Sequence, residues 1–412
     1  MKSAPLLLLA FPLLLPLSHA TEASALRLGE TTAQVRLGWD SNPIGTEGTS
    51  AALLGDAESF TTSVSAGFAL LAGRPGEART CKLAYAGERQ DFSHWSSENF
   101  TTHRFAFAGQ QSSGEWQTTW DASSLFVDGS RSTLRSTAAA NANAVALWRE
   151  RRRQWQHRLK AQTQTTFAHG VVRGSISWLD YDYRTDVDAA NVPFANRSDL
   201  QAGLDVGWRQ NAASLWLVGA RTGRQVQATV PLPNCDFDYS NRYQRLAFGW
   251  EGSPTPKLSI ALLAGPDFRH YSGRIDPRVF SDRDRTSLWC EGSFTAKPAA
   301  SVTLAGRLAR FEWLSSTGKS AYRDSCAEVS LTWAASPAWS ARGTAKVHRC
   351  DYYPAVRDDW ESFFSVGVAR RLSARATFTL DLTRHRAWNN LRTFSERAFG
   401  RWMCAAGLTW KN

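Results

Sequence analysis

From Thr31 to the C-terminus, apolar and polar residues alternate in stretches of about ten, and the joins between stretches are alternately short and long. Successive side chains of a strand point to opposite faces, so each stretch assigns its own two sides. Ala376, Phe378, Leu380 and Leu382 share one face, opposite Arg375, Thr377, Thr379 and Asp381. Leu200, Ala202, Leu204, Val206 and Trp208 likewise oppose Asp199, Gln201, Asp205 and Arg209. Short joins such as Ser253–Lys257, Lys297–Ala300 and Ser336–Pro337 follow one strand; long polar joins at 41–60, 128–150, 183–196, 223–239, 269–284 and 387–398 follow the next. This rhythm predicts an all-β fold, an antiparallel up-and-down transmembrane β-barrel of about 16–18 strands, best counted as about 18. Slipping a strand by one residue would carry Arg or Lys into lipid at about 2–4 kcal/mol near the midplane, so the pattern fixes register. An even count returns both termini to one side, expected to be the periplasm.

Residues 1–20 read as a cleaved signal peptide, with Lys2 as the positive start, Leu6–Leu17 as the apolar run and Ser18-His19-Ala20 as the cleavage site. Residues 21–31 are expected as a short periplasmic segment and 32–412 as the barrel. No later stretch offers eighteen consecutive apolar residues, so no helical span is expected. An exported chain of this kind is a barrel in the bacterial outer membrane or a secreted soluble β-protein.

Tryptophan separates these two. Trp116, Trp208, Trp250, Trp333, Trp339 and Trp410 fall at strand ends beside short joins, and Trp39, Trp155, Trp178, Trp289 and Trp402 at ends beside long ones. Two belts of amphipathic rings suit the two interfaces of a bilayer, whereas a soluble core would gather them at strand centres. The last strand alternates Trp402, Cys404, Ala406, Leu408 and Trp410, then closes with Lys411 and Asn412. This resembles the C-terminal signal of porin-like outer-membrane β-barrels of Gram-negative bacteria. The resemblance implies the barrel assembly machinery as a partner during biogenesis. The segment Gly38-Trp-Asp-Ser-Asn-Pro43 is similar to one in exopolysaccharide-associated outer-membrane barrels, which implies export-complex proteins as partners.

The formal charge of +11 is spread singly along strands, with one basic cluster at Arg149–Arg153, so nucleic acid is not an expected partner. Alternation points Arg36, Lys82, Arg104, Arg158, Lys160, Arg173, Arg209, Arg245, Arg307, Arg342, Lys346 and Arg375 into the lumen. The acids assigned there, Asp121, Asp199, Asp205, Glu291, Glu328 and Asp381, are fewer. Cations lining a pore favour anions, although Arg–acid pairs across strands would simply solvate the wall.

The six cysteines show neither metal-site nor redox spacing, and Cys326 and Cys350 read as about four residues out of register, too far for a bridge. Cys81, Cys290 and Cys404 fall on apolar faces, where a thiol serves as a small hydrophobe. His348 faces the lumen near Lys346 and Arg342 and reads as a solvated polar side chain. No catalytic motif, metal site or cofactor is expected.

The leading expectation is a channel for small hydrophilic solutes, embedded in outer-membrane lipid. The alternatives are a component of polysaccharide or surface-polymer export and a lipid-acting barrel enzyme, which would need Ser and His at lipid level on neighbouring strands. The 128–150 join, rich in Ala and Asn, is the candidate to fold into the lumen.

Overall fold

In the computed structural model, residues 26–43, 58–74, 76–129, 153–184, 196–228, 238–272, 283–314, 321–353, 357–390 and 398–412 are described. The signal peptide, Cys235, Arg149–Arg152 and nearly all of the 128–150 join lie outside them. The strands are β1 (Arg27–Asp40), β2 (Ser59–Ala72), β3 (Arg79–Phe92), β4 (Phe100–Ser113), β5 (Trp116–Asp128) and β6 (Gln154–Phe167). There follow β7 (Gly170–Tyr183), β8 (Arg197–Asn211), β9 (Ser214–Gln227), β10 (Asn241–Thr255), β11 (Leu258–Tyr271) and β12 (Asp284–Ala299). The last six are β13 (Val302–Leu314), β14 (Ala321–Ala334), β15 (Trp339–Tyr353), β16 (Arg357–Arg371), β17 (Ala376–Asn389) and β18 (Phe399–Lys411). β1 thus starts at Arg27, inside the stretch expected to precede the barrel.

Each strand pairs antiparallel with its chain neighbours, and β1 with β18 closes an 18-stranded ring. Closure matters because an open edge would leave a row of backbone N–H and C=O groups with no partner in hydrocarbon. The side chains sort as the alternation requires. Val35, Leu37, Phe60, Val64, Leu204, Val206, Phe248, Leu288, Leu380 and Leu408 are exposed on the outer face. Their chain neighbours, such as Arg36, Ser63, Asp205 and Asp381, turn inward.

The seam between β1 and β18 uses the Gly38–Pro43 segment. Arg401 donates through Nε to Asp40 Oδ1 at 2.8 Å, and Asp40 is buried. The Asn42 N–H donates to Asp40 Oδ1 at 3.0 Å, and the Ser41 N–H to the Trp402 carbonyl at 2.9 Å. The Trp402 N–H returns a bond to Ser41 Oγ at 2.8 Å. A Cβ at Gly38 would come within 2.6 Å of the Cys404 carbonyl oxygen, so only glycine lets the strands meet there.

Among the described residues, the ring departs from a simple cylinder at β13. β13 pairs with β12 only from Val302 to Arg310, while its pairing with β14 continues to Leu314↔Ala321. Beyond Arg310 the tip formed by β13, β14 and β15 leaves the wall and crosses the lumen, bringing β13 close to β9. The face of the tip that would have continued the outer wall now packs on the inner wall. Leu314 and Ala321 are buried with Tyr239 and Tyr271, and Tyr353 packs against them.

Asp40→Ala is expected to cost about 3–5 kcal/mol, because it strands Arg401 as a buried unpaired charge. The midpoint of heat-driven loss of the folded band on a semi-native gel should fall, and Asp40→Ala/Arg401→Leu should recover part of the loss. An unchanged midpoint would show that backbone pairing alone holds the seam.

Candidate functional site

The lumen is the site that the fold builds, and its cations fall into two groups. The first is paired. Arg36 and Arg342 converge on Asp381 at 2.9 and 2.7 Å, and Arg173 binds Glu251 in a fork at 2.7 and 2.9 Å. Arg221 forks onto Asp205 at 2.6 and 2.9 Å. Arg245 donates to Asp267 Oδ2 at 2.9 Å. The second group comprises Lys82, Arg104, Arg158, Lys160, Arg209, Arg307 and Lys346, none of which forms an ion pair with a described residue. Arg307 and Lys346 both stand opposite Glu328 in register, and Lys160 opposite Asp121. Arg375 belongs to neither group: it sits exposed in the turn before β17, because the strand begins only at Ala376.

One side of the lumen is closed by the tip, and a buried polar network fastens it there. Asp267 Oδ2 accepts from Arg245 and from Arg269, each at 2.9 Å. Arg269 is fully buried and also donates to Gln225 at 2.9 Å and Asn241 at 3.1 Å, with Glu312 at 3.5 Å. Glu312, carried on the tip, accepts from the Tyr353 hydroxyl at 2.6 Å and the Tyr271 hydroxyl at 3.3 Å. Gln225 donates to the Glu312 carbonyl at 3.0 Å. Two arginines and two carboxylates make this quartet neutral, which is what permits it to leave water. The other face of the tip stacks aromatics: Trp313 and Tyr322 pack with Leu179 and Tyr181, and Arg197 lies over the Tyr181 and Trp313 rings while bonding the Leu314 carbonyl.

Trp289 explains itself here. It was expected in an interface belt but is 2% exposed, because it shares parity with inward Glu291 while Leu288 and Cys290 face out. Its ring lies under the Arg245 guanidinium at 5.3 Å, a desolvated cation–π contact. The other expected belt residues sit on the outer face: Trp116, Trp208, Trp333, Trp339, Trp402 and Trp410 are exposed, and Trp39, Trp155, Trp178 and Trp250 partly so. Trp208, Trp216 and Trp250 form a cross-strand row at the short-turn end. Trp360 and Trp388 stack at 6.1 Å at the opposite end. Sequence reasoning missed Trp216, Trp360 and Trp388, although their parity is legible.

The outer wall also brings Ser124 opposite His157, with Oγ and Nδ1 2.6 Å apart. The His157 ring is stacked between Trp155 and Trp178, at 5.6 and 5.9 Å. All five described cysteines are free thiols. Cys326 faces His348 and Asp324 faces Cys350, so Cys326 and Cys350 are two residues out of register, not four. They remain unbridged on one inner face.

A closed antiparallel ring with an apolar outer wall, aromatic rings at both ends and charged groups inside defines an outer-membrane β-barrel of porin-like architecture. No family model and no curated protein matches the chain. Solved structures with a similar barrel include Pseudomonas aeruginosa OccK2 (OpdF) in complex with glucuronate, at 12% identity and a TM-score of 0.44, covering 93% of this chain and 97% of that one. P. aeruginosa OpdK with vanillate follows at 10% identity and 0.43, covering 93% and 98%. A BenF-like porin from Pseudomonas fluorescens gives 11% and 0.43, covering 93% and 99%. At these values the likeness is one of barrel architecture, and the class rests on the geometry above.

Glu312→Ala should release the tip by leaving Arg269 short of a carboxylate. Single-channel recordings are expected to show larger or noisier open currents than the wild type. Identical currents would mean that the tip is held by its aromatic face alone.

Proposed function

We propose that the barrel passes small hydrophilic solutes through the part of the lumen the tip leaves free, with a preference for anions. One observation carries this reading. On β3, β4 and β6, the inward Lys82, Arg104, Arg158 and Lys160 are exposed and unpaired among the described residues, whereas the inward Arg173, Arg221, Arg245 and Arg269 of β7, β9, β10 and β11 are tied to carboxylates. Unpaired cations in a water-filled passage raise the local concentration of anions and lower their barrier to entry. Glu88 and Asp121 share that wall, so the preference is a bias and not a filter. Both termini then lie in the periplasm, and the chain inserts through the assembly machinery of the outer membrane.

The export reading has less support. Its resemblance rests on Gly38–Pro43, and Gly38, Asp40, Ser41 and Asn42 have a structural role at the seam. A tip across the lumen also narrows the path for a polymer. The lipid-acting reading is favoured by Ser124 and His157 on the outer wall, but no described carboxylate hydrogen-bonds the other ring nitrogen of His157. Lipid hydrolysis in detergent that vanished in Ser124→Ala would revive it.

In a planar bilayer under a salt gradient, the wild type should give a reversal potential on the anion side. Replacing Lys82, Arg104, Arg158 and Lys160 together with Gln should move it to neutral or to cation preference. A reversal potential unaffected by the four changes would overturn the assignment.

A further inference from the structure

At the root of the tip, three inward side chains converge that the channel reading does not use. Asp324 of β14 and His348 and Cys350 of β15 place one ligand atom each within 4.8 Å of the others. His348 Nε2 lies 2.7 Å from Asp324 Oδ1, and Cys350 Sγ lies 3.8 Å from both His348 ring nitrogens. Asp324 and Cys350 are buried and directly opposite in register. Glu361 of β16 approaches from the other side, 3.9 Å from His348 Nδ1. We propose that this cluster binds a divalent transition-metal ion of the zinc type.

The donor set selects the ion. One thiolate, one imidazole and one carboxylate suit a borderline ion such as Zn²⁺ and do not suit Mg²⁺ or Ca²⁺, which take oxygen. With bonds of about 2.0–2.3 Å, tetrahedral ligand atoms stand roughly 3.3–3.8 Å apart. The sulfur-to-nitrogen separation already has that value, and the aspartate needs to open by somewhat more than half an ångström. With water in the fourth position the bound state would be neutral, since thiolate and carboxylate balance the ion, so burial is tolerable. Three protein donors leave one position for Glu361 or water. Asp324, His348 and Cys350 stand on the tip strands β14 and β15 and Glu361 on β16, so with Glu361 as the fourth ligand an ion here would brace the root of the tip against the wall.

Cobalt is the probe, added to the full chain folded in detergent. The wild type should develop an intense thiolate-to-cobalt absorption with the visible bands of a tetrahedral site, and Zn²⁺ should displace both. Cys350→Ala, which keeps the apolar packing, should abolish the charge-transfer band, and His348→Gln should weaken binding at least tenfold; Cys326→Ser should leave the spectrum unchanged. X-ray absorption of the zinc-loaded wild type decides the matter without any variant: one sulfur at about 2.3 Å with nitrogen and oxygen near 2.0 Å supports the site. The absence of a thiolate band at millimolar cobalt, a band that survives Cys350→Ala, or a zinc shell of oxygen alone would overturn it.

Discussion

Hydrocarbon offers no partner to a backbone N–H or C=O, and that constraint governs this molecule. Every strand must be paired on both sides, so the sheet closes on itself through β1 and β18. Closure fixes an inside and an outside, and the two-residue period of a strand then decides where each side chain goes. The outer face carries Val35, Leu37, Val206 and Leu380, while Arg36, Asp205 and Asp381 sit inside. Among the described strands, the seam is where distant parts of the chain must find each other to complete the ring. A buried Asp40–Arg401 pair and a reciprocal Ser41–Trp402 exchange are concentrated there.

Where strands rise clear of lipid, the constraint relaxes and side-chain chemistry takes over. β13 loses its partner β12 after Arg310, and its tip exchanges wall pairing for the lumen. Two things compensate. Tyr239, Tyr271, Leu314 and Ala321 exclude water on one face, and the neutral quartet of Arg245, Arg269, Asp267 and Glu312 ties tip to wall. Removing any one member would leave an unmatched buried charge, so the quartet holds the tip in one position more than it adds net stability. The result is an asymmetric lumen, filled on the β7–β12 side and lined by exposed cations on β3–β6.

The ring was legible because alternation, turn length and strand count all express the same membrane constraint. The tip is legible too, in a change of parity rather than in alternation. Along β13 the apolar face switches, from Leu304 and Leu308 on the outer parity to Phe311 and Trp313 on the inner. β14 and β15 switch in the same way, with Tyr322 and Tyr352 inward against Arg323 and Asp351. Trp289 stands at a strand end like the belt residues, but its parity points it into the lumen. Arg375 was misplaced because the turn before β17 runs longer than the alternation suggested. The Asp324, His348 and Cys350 cluster had no sequence spacing to announce it, since hairpin register, not chain distance, brings Asp324 to Cys350.

A closed ring whose own strands cross its lumen brings Trp313 on β13 against Tyr181 on β7, with ring centroids 6.4 Å apart. Neither residue supplies a carboxylate to the quartet, so Tyr181→Cys and Trp313→Cys leave it intact. In intact outer membranes, with the six native cysteines replaced by Ser, a short bifunctional thiol reagent should link the two positions rapidly within one chain. A properly folded barrel that gives no cross-link would place the tip in the wall and rule out the crossing.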